Sequence, residues 1–258
     1  MENKQFHHFR QYKKYVNMLN PYIYELPTDQ IVSAPMQTSL VYGGDAGYSM
    51  PNLASNTNEH RITLGGSPSI AIGSNGRYYD SSSNYDTITD SDTLSFTNGS
   101  SDLAFSGSIR IDISALAGGT TGMLFGKVSG SGYEYALVLR NDYLVLYQMD
   151  APATNQLNTK VPLTAASVLA NTLTVGFTSD GSKTNAGVNL YINGVNQTVG
   201  KISENYGTYQ GMVNTTSPIY FGRWPVGSIW GITGYLKNFH LDKGVNTAAE
   251  MLAYHNEI

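Results

Sequence analysis

The fold is decided by three strand-like runs in the last third of the sequence: Leu173-Thr-Val-Gly-Phe-Thr-Ser179, Val188-Asn-Leu-Tyr-Ile-Asn-Gly-Val195 and Gly231-Ile-Thr-Gly-Tyr-Leu-Lys-Asn-Phe-His-Leu-Asp242. Asp180-Gly181 follows the first run, and Asn193-Gly194 lies inside the second. These dipeptides adopt left-handed backbone conformations at little cost, as tight turns between antiparallel strands require. The region is therefore predicted to be antiparallel β-structure.

The same kind of sequence continues upstream. Short runs stand at Tyr85-Asp-Thr-Ile88 and Asp90-Ser-Asp-Thr-Leu-Ser-Phe96, and a longer one at Phe105-Ser-Gly-Ser-Ile-Arg-Ile-Asp-Ile113 alternates apolar and polar residues. Such alternation is typical of a half-buried strand. Tyr143-Leu-Val-Leu-Tyr147 follows Asn141-Asp142, which we interpret as a hairpin turn.

In this order, the segments from about residue 67 to 258 resemble a concanavalin A-like, laminin-G-like jelly roll. The resemblance implies an all-β sandwich of two antiparallel sheets, with residues 67–258 as the jelly-roll domain. Thr247 and Glu250 have the spacing of a capping box, which predicts a short C-terminal helix. The side chains expected to pack this helix on the sandwich are Met251, Leu252 and Tyr254.

Composition narrows the classes of function. With 258 residues, 41% of them hydrophobic, the chain can bury the core of one main domain. Only 13% of residues are charged and the net charge is -4, so no basic stripe is available for nucleic acid. The absence of cysteine excludes disulfides, thiol catalysis and cysteine-based zinc sites.

Residues 1–66 differ from the rest and are predicted to be an extended N-terminal arm with a short helix. Its first part is aromatic and mildly basic, and the rest is polar, with prolines and no sustained period. Such a segment buries too little apolar surface to fold alone, so we expect it to be held by the jelly roll or by neighbouring subunits, and we interpret it as the element that docks the protein in an assembly. The docking residues predicted are Phe6, Phe9, Tyr12 and Tyr15. We expect no signal peptide, because the N-terminus lacks an apolar h-region, and no membrane insertion, because no apolar run approaches about 20 residues.

No catalytic pattern is found in the sequence. Glycoside hydrolases need two carboxylates beside the scissile bond, and Glu134 has no acidic residue two or five positions later. The sequence also has no Gly-x-Ser-x-Gly elbow and no phosphate-binding loop. The protein is therefore predicted not to be an enzyme.

Asp90 and Asp92 are candidate calcium ligands, because relatives with this fold hold calcium at the rim of the sandwich. A calcium ion prefers six or more oxygen ligands, and this segment supplies only a few of them. The alternative is that Asp-Ser-Asp-Thr forms a turn in which the side chains cap their own backbone.

Trp224 and Trp230 flank Pro225-Val-Gly-Ser-Ile229. Exposed indoles would form a stacking platform for sugars or an anchor for a protein partner, since aromatic side chains dominate interface energetics. The alternative is that they fill one end of the sandwich.

The resemblance, together with composition, implies a non-enzymatic bacteriophage virion protein made in the host cytoplasm. It would be a capsid-decoration, head-fibre or tail-fibre protein whose partners are other virion subunits, in a homo-oligomer or on the capsid, and a host surface glycan. The alternative is a carbohydrate-binding adhesin. A glycoside hydrolase is a third reading, disfavoured by the missing carboxylate pair.

Overall fold

The computed structural model describes side chains and backbone for residues 76–80, 84–130, 132–150, 154–225 and 230–256, and the backbone of residues 30–34, 49–50, 62–64 and 72–73. In chain order the strands are β1 Gln30–Ala34, β2 Ser49–Met50, β3 Ile62–Leu64, β4 Ile72–Gly73, β5 Gly76–Asp80, β6 Asp86–Ile88, β7 Phe105–Leu116, β8 Thr121–Ser129, β9 Gly132–Arg140, β10 Tyr143–Met149, β11 Gln156–Pro162, β12 Leu173–Ser179, β13 Val188–Ile192, β14 Val195–Asn196, β15 Ile202–Ser203, β16 Ile219–Phe221 and β17 Ile232–Lys243. The α-helices are α1 Ala165–Ala170 and α2 Ala248–Asn256, and short 3₁₀ turns lie at Asp92–Leu94 and Asn185–Gly187.

The strands form two antiparallel sheets, as predicted. Sheet I has the order β14-β13-β12-β7-β17-β5-β4, with β1 also paired to β17. Sheet II has the order β15-β11-β10-β9-β8-β16-β6-β3-β2. The predicted Asn193-Gly194 turn joins β13 to β14, with φ of 51° and 74° at its two residues. The all-β sandwich expected from the sequence is confirmed.

The main core lies between the sheets and is built around phenylalanine rings. Phe125 of β8 meets Phe239 of β17 edge to face, with ring centroids 4.9 Å apart, so this contact joins sheet II to sheet I. Phe105 and Phe177 make a similar contact at 5.0 Å between β7 and β12. Edge-to-face rings stabilise the core beyond the area they bury.

Strand β10 places apolar side chains on both faces of sheet II. Leu144 and Leu146 belong to the core between the sheets, whereas Val145 and Tyr147 belong to a second apolar cluster on the outer face. This follows from the two-residue period of a strand. Sheet II is therefore apolar on its outer face as well, which a sandwich core alone does not require.

Part of the predicted arm lies in the sheets. Backbone pairs join β1 to β17, from Gln30 opposite Asp242 to Ala34 opposite Phe239, and β3 pairs with β6 in sheet II. These described segments of residues 1–66 thus extend the jelly roll. The candidate docking residues, Phe6, Phe9, Tyr12 and Tyr15, lie outside the described residues. The division at residue 66 and the docking role stay predictions.

A buried ion pair joins β5 of sheet I to β6 of sheet II. Arg77 of β5 donates from Nε and Nη2 to the two carboxylate oxygens of Asp86 in β6, both at 2.8 Å. The hydroxyl of Tyr79 donates to the same carboxylate at 2.7 Å. All three residues have no exposed surface. This network crosses from sheet I to sheet II.

Helix α2 begins with the predicted capping box. The Glu250 carboxylate accepts from the backbone N–H of Thr247 at 2.6 Å, and Thr247 Oγ1 accepts from the backbone N–H of Glu250 at 3.3 Å. Met251 and Tyr254 are buried against sheet I as expected, but Leu252 is 44% exposed. Leu252 was wrongly assigned to the packed face because the helix buries a narrower stripe than its apolar residues occupy.

Replacing Thr247 with alanine is expected to lower the free energy of unfolding by about 1 kcal/mol, because the helix loses its cap. Urea unfolding monitored by circular dichroism measures the change. Thr198→Ala is the control, since Thr198 is an exposed threonine that caps no described helix. A Thr247→Ala variant as stable as the control would contradict the assignment.

Candidate functional site

An aromatic cleft lies on the outer face of sheet II. Its floor is the second apolar cluster, in which Met123, Val138, Val145 and Met149 are almost completely buried. Strands β8, β9 and β10 supply these side chains at alternating positions. The cleft has a volume of about 360 Å³. The residues lining it are Tyr133, Arg140, Tyr147, Met149, Gln156, Tyr206, Trp224 and Trp230.

The backbone fixes the two tryptophans over this floor. Gly222 ends β16 with φ of 76°, and a Cβ there would lie 2.2 Å from the Tyr79 ring, so only glycine fits. The chain then leaves the sheet, and the backbone N–H of Trp224 donates to the carbonyl of Trp230 at 3.0 Å. The same carbonyl accepts from the backbone N–H of Met123 at 3.4 Å. The neck of the loop is thereby tied to itself and to sheet II.

The aromatic rings form two stacked pairs that meet at the tryptophans. Trp224 stacks on Tyr133 with centroids 5.9 Å apart, and Trp230 stacks on Tyr147 at 6.3 Å. The indoles contact each other at 4.9 Å with their planes at 64°. Both are half-buried, and Tyr206 at the edge of the cleft is 46% exposed. Each indole therefore packs on the outer face of sheet II instead of filling an end of the sandwich, and keeps part of its surface accessible. Their role as a binding platform stays a prediction.

A cation lies among these rings. Arg140, the last residue of β9, places its guanidinium carbon 5.8 Å from the Trp230 ring centre. Its Nη1 donates to the Tyr147 hydroxyl at 2.7 Å. This hydrogen bond is the main cause that raises the pKa of Arg140, so the side chain stays charged. Burial raises the pKa of the Tyr147 hydroxyl, which stays neutral.

Lys160 and Glu204 lie at one side of the cleft. The Lys160 ammonium is 4.6 Å from the Tyr143 ring centre and forms an ion pair of 3.1 Å with Glu204. The charges of Lys160 and Glu204 therefore compensate each other. Stacking rings, hydroxyls and a cation are groups that can hold a polar ring ligand.

The candidate calcium ligands lie elsewhere, at one end of the sandwich. The Lys127 ammonium lies 2.7 Å from Asp90 Oδ1, and it also bonds Glu134 Oε1 and the Thr215 carbonyl at 2.7 Å each. A protein cation thus already pairs with Asp90. Asp92 stands in the first turn of a 3₁₀ segment capped by the hydroxyl of Ser91, which is the turn arrangement the sequence offered as the alternative. Calcium at these aspartates stays a prediction.

In the described part of the chain, no group of three or more histidine, cysteine, aspartate and glutamate side chains is arranged to hold a metal. Glu134, the sole glutamate considered as a strand acid, is fully buried in the ion-pair cluster with Lys127. It lies at a bulge, since Lys127 pairs with Tyr135 while Val128 pairs with Tyr133. Burial raises the pKa of Glu134, and the neighbouring Lys127 opposes this.

Sequence reasoning found the two tryptophans and missed the residues around them. Tyr133 is the second residue of β9 and Arg140 its last, and Tyr206 comes from a distant loop. A usable signal existed in β10, where Val145, Tyr147 and Met149 occupy the positions that a solvent-facing side would fill with polar residues. Aromatic and apolar residues at outward positions indicate a covered or binding surface.

Within the described residues, no helix has the length and apolar character that crossing a bilayer needs.

Comparison with solved structures finds this fold in binding domains of toxins. The binding domain of Paraclostridial Mosquitocidal Protein 1 has a TM-score of 0.58 and 15% identity over 88% of this chain and 52% of its own. The botulinum neurotoxin serotype D binding domain has a TM-score of 0.59 and 13% identity over 89% of this chain and 52% of its own. A structure of botulinum neurotoxin type C, whose cell entry is dependent upon interaction with two ganglioside molecules, has a TM-score of 0.58 and 10% identity over 88% of this chain and 51% of its own.

The present chain thus spans about half the length of these structures. No family model and no curated protein matches the sequence. At these identities the likeness shows the fold, and that fold is a jelly-roll-like sandwich shared with toxin binding domains.

Proposed function

We propose that this protein is a non-catalytic carbohydrate-binding module and that the aromatic cleft on sheet II is its binding site. The observation that carries the proposal is the pair of half-buried indoles, each stacked on a tyrosine and held by a hydrogen-bonded loop neck. Sugar rings present apolar C–H faces that pack on aromatic rings, while their hydroxyls bond polar groups at the rim. The resemblance in fold to toxin binding domains supports a role in recognition.

Binding without hydrolysis is part of the proposal. Among the described residues, none that lines the cleft is an aspartate or glutamate, whereas glycosidic cleavage uses two carboxyl groups about 5 to 9.5 Å apart. Glu204, at one side of the cleft, is paired with Lys160, and Asp150, next to Met149, accepts hydrogen bonds from Asn155. A bound oligosaccharide is therefore expected to be recovered intact.

Replacing Trp224 or Trp230 with alanine is expected to weaken glycan binding by about 1 to 3 kcal/mol, as for a hot-spot aromatic residue. A glycan array followed by calorimetry on the best oligosaccharide measures the change, and chromatography of that oligosaccharide checks that it stays uncleaved. The unfolding midpoint of each variant reports any loss of folded protein.

Tyr235→Ala is the matched control for this experiment. Tyr235 is half-buried and pairs with Tyr78 at 5.1 Å on sheet I, away from the cleft. The control should bind as the unmodified protein does. If a folded Trp224→Ala or Trp230→Ala variant also keeps full affinity, the cleft is not the binding site.

We further propose that the module belongs to a bacteriophage virion protein, displayed outward and docked through its N-terminal segment. The laminin-G-like sequence pattern and the arm-like composition of residues 1–66 support this setting. An adhesin outside a virion would bind the same glycans but would not enter a particle.

Deleting residues 1–29 keeps β1, which pairs with β17. The truncated protein is expected to fold and to bind glycans while failing to incorporate into particles. Mass spectrometry of particles purified from cells that express the truncation measures incorporation. Incorporation at the level of the full chain would refute docking through this segment.

A further inference from the structure

Arg140 is a cation of the cleft that lies close enough to Glu204 to be favoured by its charge but forms no ion pair with it. Among the ion pairs that the described residues form, none involves Arg140. A guanidinium carries five N–H donors, and the described residues engage Arg140 through one hydrogen bond, to the Tyr147 hydroxyl. The remaining donors of Arg140 are available to a ligand, beside the Trp230 ring.

Other donors around the cleft are also unused. In the described parts of the chain, neither indole N–H nor the hydroxyl of Tyr206 has a hydrogen-bond partner, and Tyr206 is 46% exposed. A site with an excess of donors over acceptors favours a ligand rich in acceptor oxygens. Carboxylate and sulfate groups offer several acceptors on one centre, and guanidinium groups bind them through two parallel hydrogen bonds.

The local charge agrees with this preference. Arg140 lines the cleft, whereas the acid Glu204 at its side pairs with Lys160, in a protein whose net charge is -4. The net charge of the protein is negative and therefore does not explain a positively charged side chain at this position. Stacking on Trp230 also holds the guanidinium in place before a ligand binds.

We propose that the cleft selects acidic saccharides, in which a carboxylate or sulfate group pairs with Arg140 while a neighbouring ring packs on Trp230. This inference rests on the proposed function and deepens it by assigning the ligand class and the residue that determines specificity. Trp224 and Tyr133 would contact sugars irrespective of charge. Arg140 would distinguish charged from neutral ones.

Paired oligosaccharides that differ in one charged group test the proposal. The probes are oligogalacturonate with its methyl ester, sialyllactose with lactose, and chondroitin sulfate oligosaccharide with unsulfated chondroitin. The first two pairs report on a carboxylate and the third on a sulfate. We expect the unmodified protein to bind the charged member of at least one pair roughly 10- to 100-fold more tightly, as a charge-assisted hydrogen bond would give.

Arg140→Gln is expected to abolish that difference, because the charged member of a pair loses more affinity than its neutral counterpart, so the measured quantity is the ratio of the two affinities. Arg140→Lys keeps the charge and should retain part of the preference, so it serves if the glutamine variant is unstable. The control is Lys243→Gln, which changes net charge equally at an exposed position on sheet I. It should leave the preference unchanged.

The outcomes separate this inference from the proposed function. Equal binding of charged and neutral members, unaffected by Arg140→Gln, overturns the acidic-saccharide proposal and leaves a neutral-glycan module. A charge preference that persists in Arg140→Gln but falls in Lys243→Gln assigns it to overall charge and also overturns the proposal. Failure to bind any saccharide on a broad array overturns both.

Discussion

Replacing Lys127 with methionine is expected to lower the free energy of unfolding at neutral pH by about 3 to 5 kcal/mol, the cost of leaving a buried charge without its partner. The Lys127 ammonium has no exposed surface and pairs with Glu134 and Asp90 at 2.7 Å each. Methionine fills a similar volume and leaves little cavity, so the loss of stability comes mainly from the buried carboxylate that has lost its cation. Urea unfolding monitored by tryptophan fluorescence measures it.

The loss should depend on pH with a definite sign. Burial already raises the pKa of Glu134 above its ordinary value of 4.5, and removing Lys127 removes the main opposing interaction. The folded variant therefore holds a proton that the unfolded chain releases above about pH 4.5. Its stability is greatest below that pH and falls as pH rises through the folded pKa. The deficit relative to the unmodified protein should grow between about pH 4 and pH 7.

Two further variants make this result interpretable. Lys160→Met removes a lysine from a pair with an exposed partner and should cost about 1 kcal/mol or less. The double variant Lys127→Met, Glu134→Leu removes both buried charges and should recover much of the stability and lose the pH dependence. If Lys127→Met were as stable as Lys160→Met at pH 7, the cluster would contribute nothing to folding.

Replacing Asp86 with asparagine is expected to lower the free energy of unfolding by a similar amount, about 3 to 5 kcal/mol. Arg77 would then stay charged and buried between the sheets, and the Tyr79 hydroxyl would lose its anionic acceptor. Asparagine has nearly the same shape, so packing changes little. Thermal and urea unfolding measure the loss.

Asp112→Asn is the control, because Asp112 is an exposed carboxylate in β7. It should change the free energy of unfolding by less than about 0.5 kcal/mol. The double variant Arg77→Met, Asp86→Leu should be more stable than Asp86→Asn, since no buried charge remains. An Asp86→Asn variant indistinguishable from the control would show that the network does not hold the sheets together.

The fold could be predicted because its signals are local. Alternation in β7, the Asn193-Gly194 turn and the spacing of Thr247 and Glu250 each act over a few residues, and the structure confirms all three. Strand pairing between residues far apart in sequence left no such signal. The addition of β1 to β17 joins segments about 200 residues apart, so a proline-containing polar stretch was interpreted as an arm.

The site was predicted only in part for the same reason. Trp224 and Trp230 lie close in sequence and mark a loop, but Arg140 and Tyr206 reach the cleft through sheet order and a distant loop. Asp90 is an example of the opposite error, in which residues close together in sequence suggested a site. Its acidic neighbours in sequence indicated calcium, whereas in space its nearest cation is the ammonium of Lys127.

The apolar outer face of sheet II restricts how this surface can evolve. Without the indoles above them, Val138, Val145 and Met123 would form a sticky patch on which copies of the chain could aggregate. The tryptophans therefore cover an apolar face of sheet II as well as forming the proposed binding surface. Substitutions at Arg140 and Tyr206, at the margin of the cleft, are expected to alter ligand preference without uncovering that face, whereas substitutions of the indoles would uncover it.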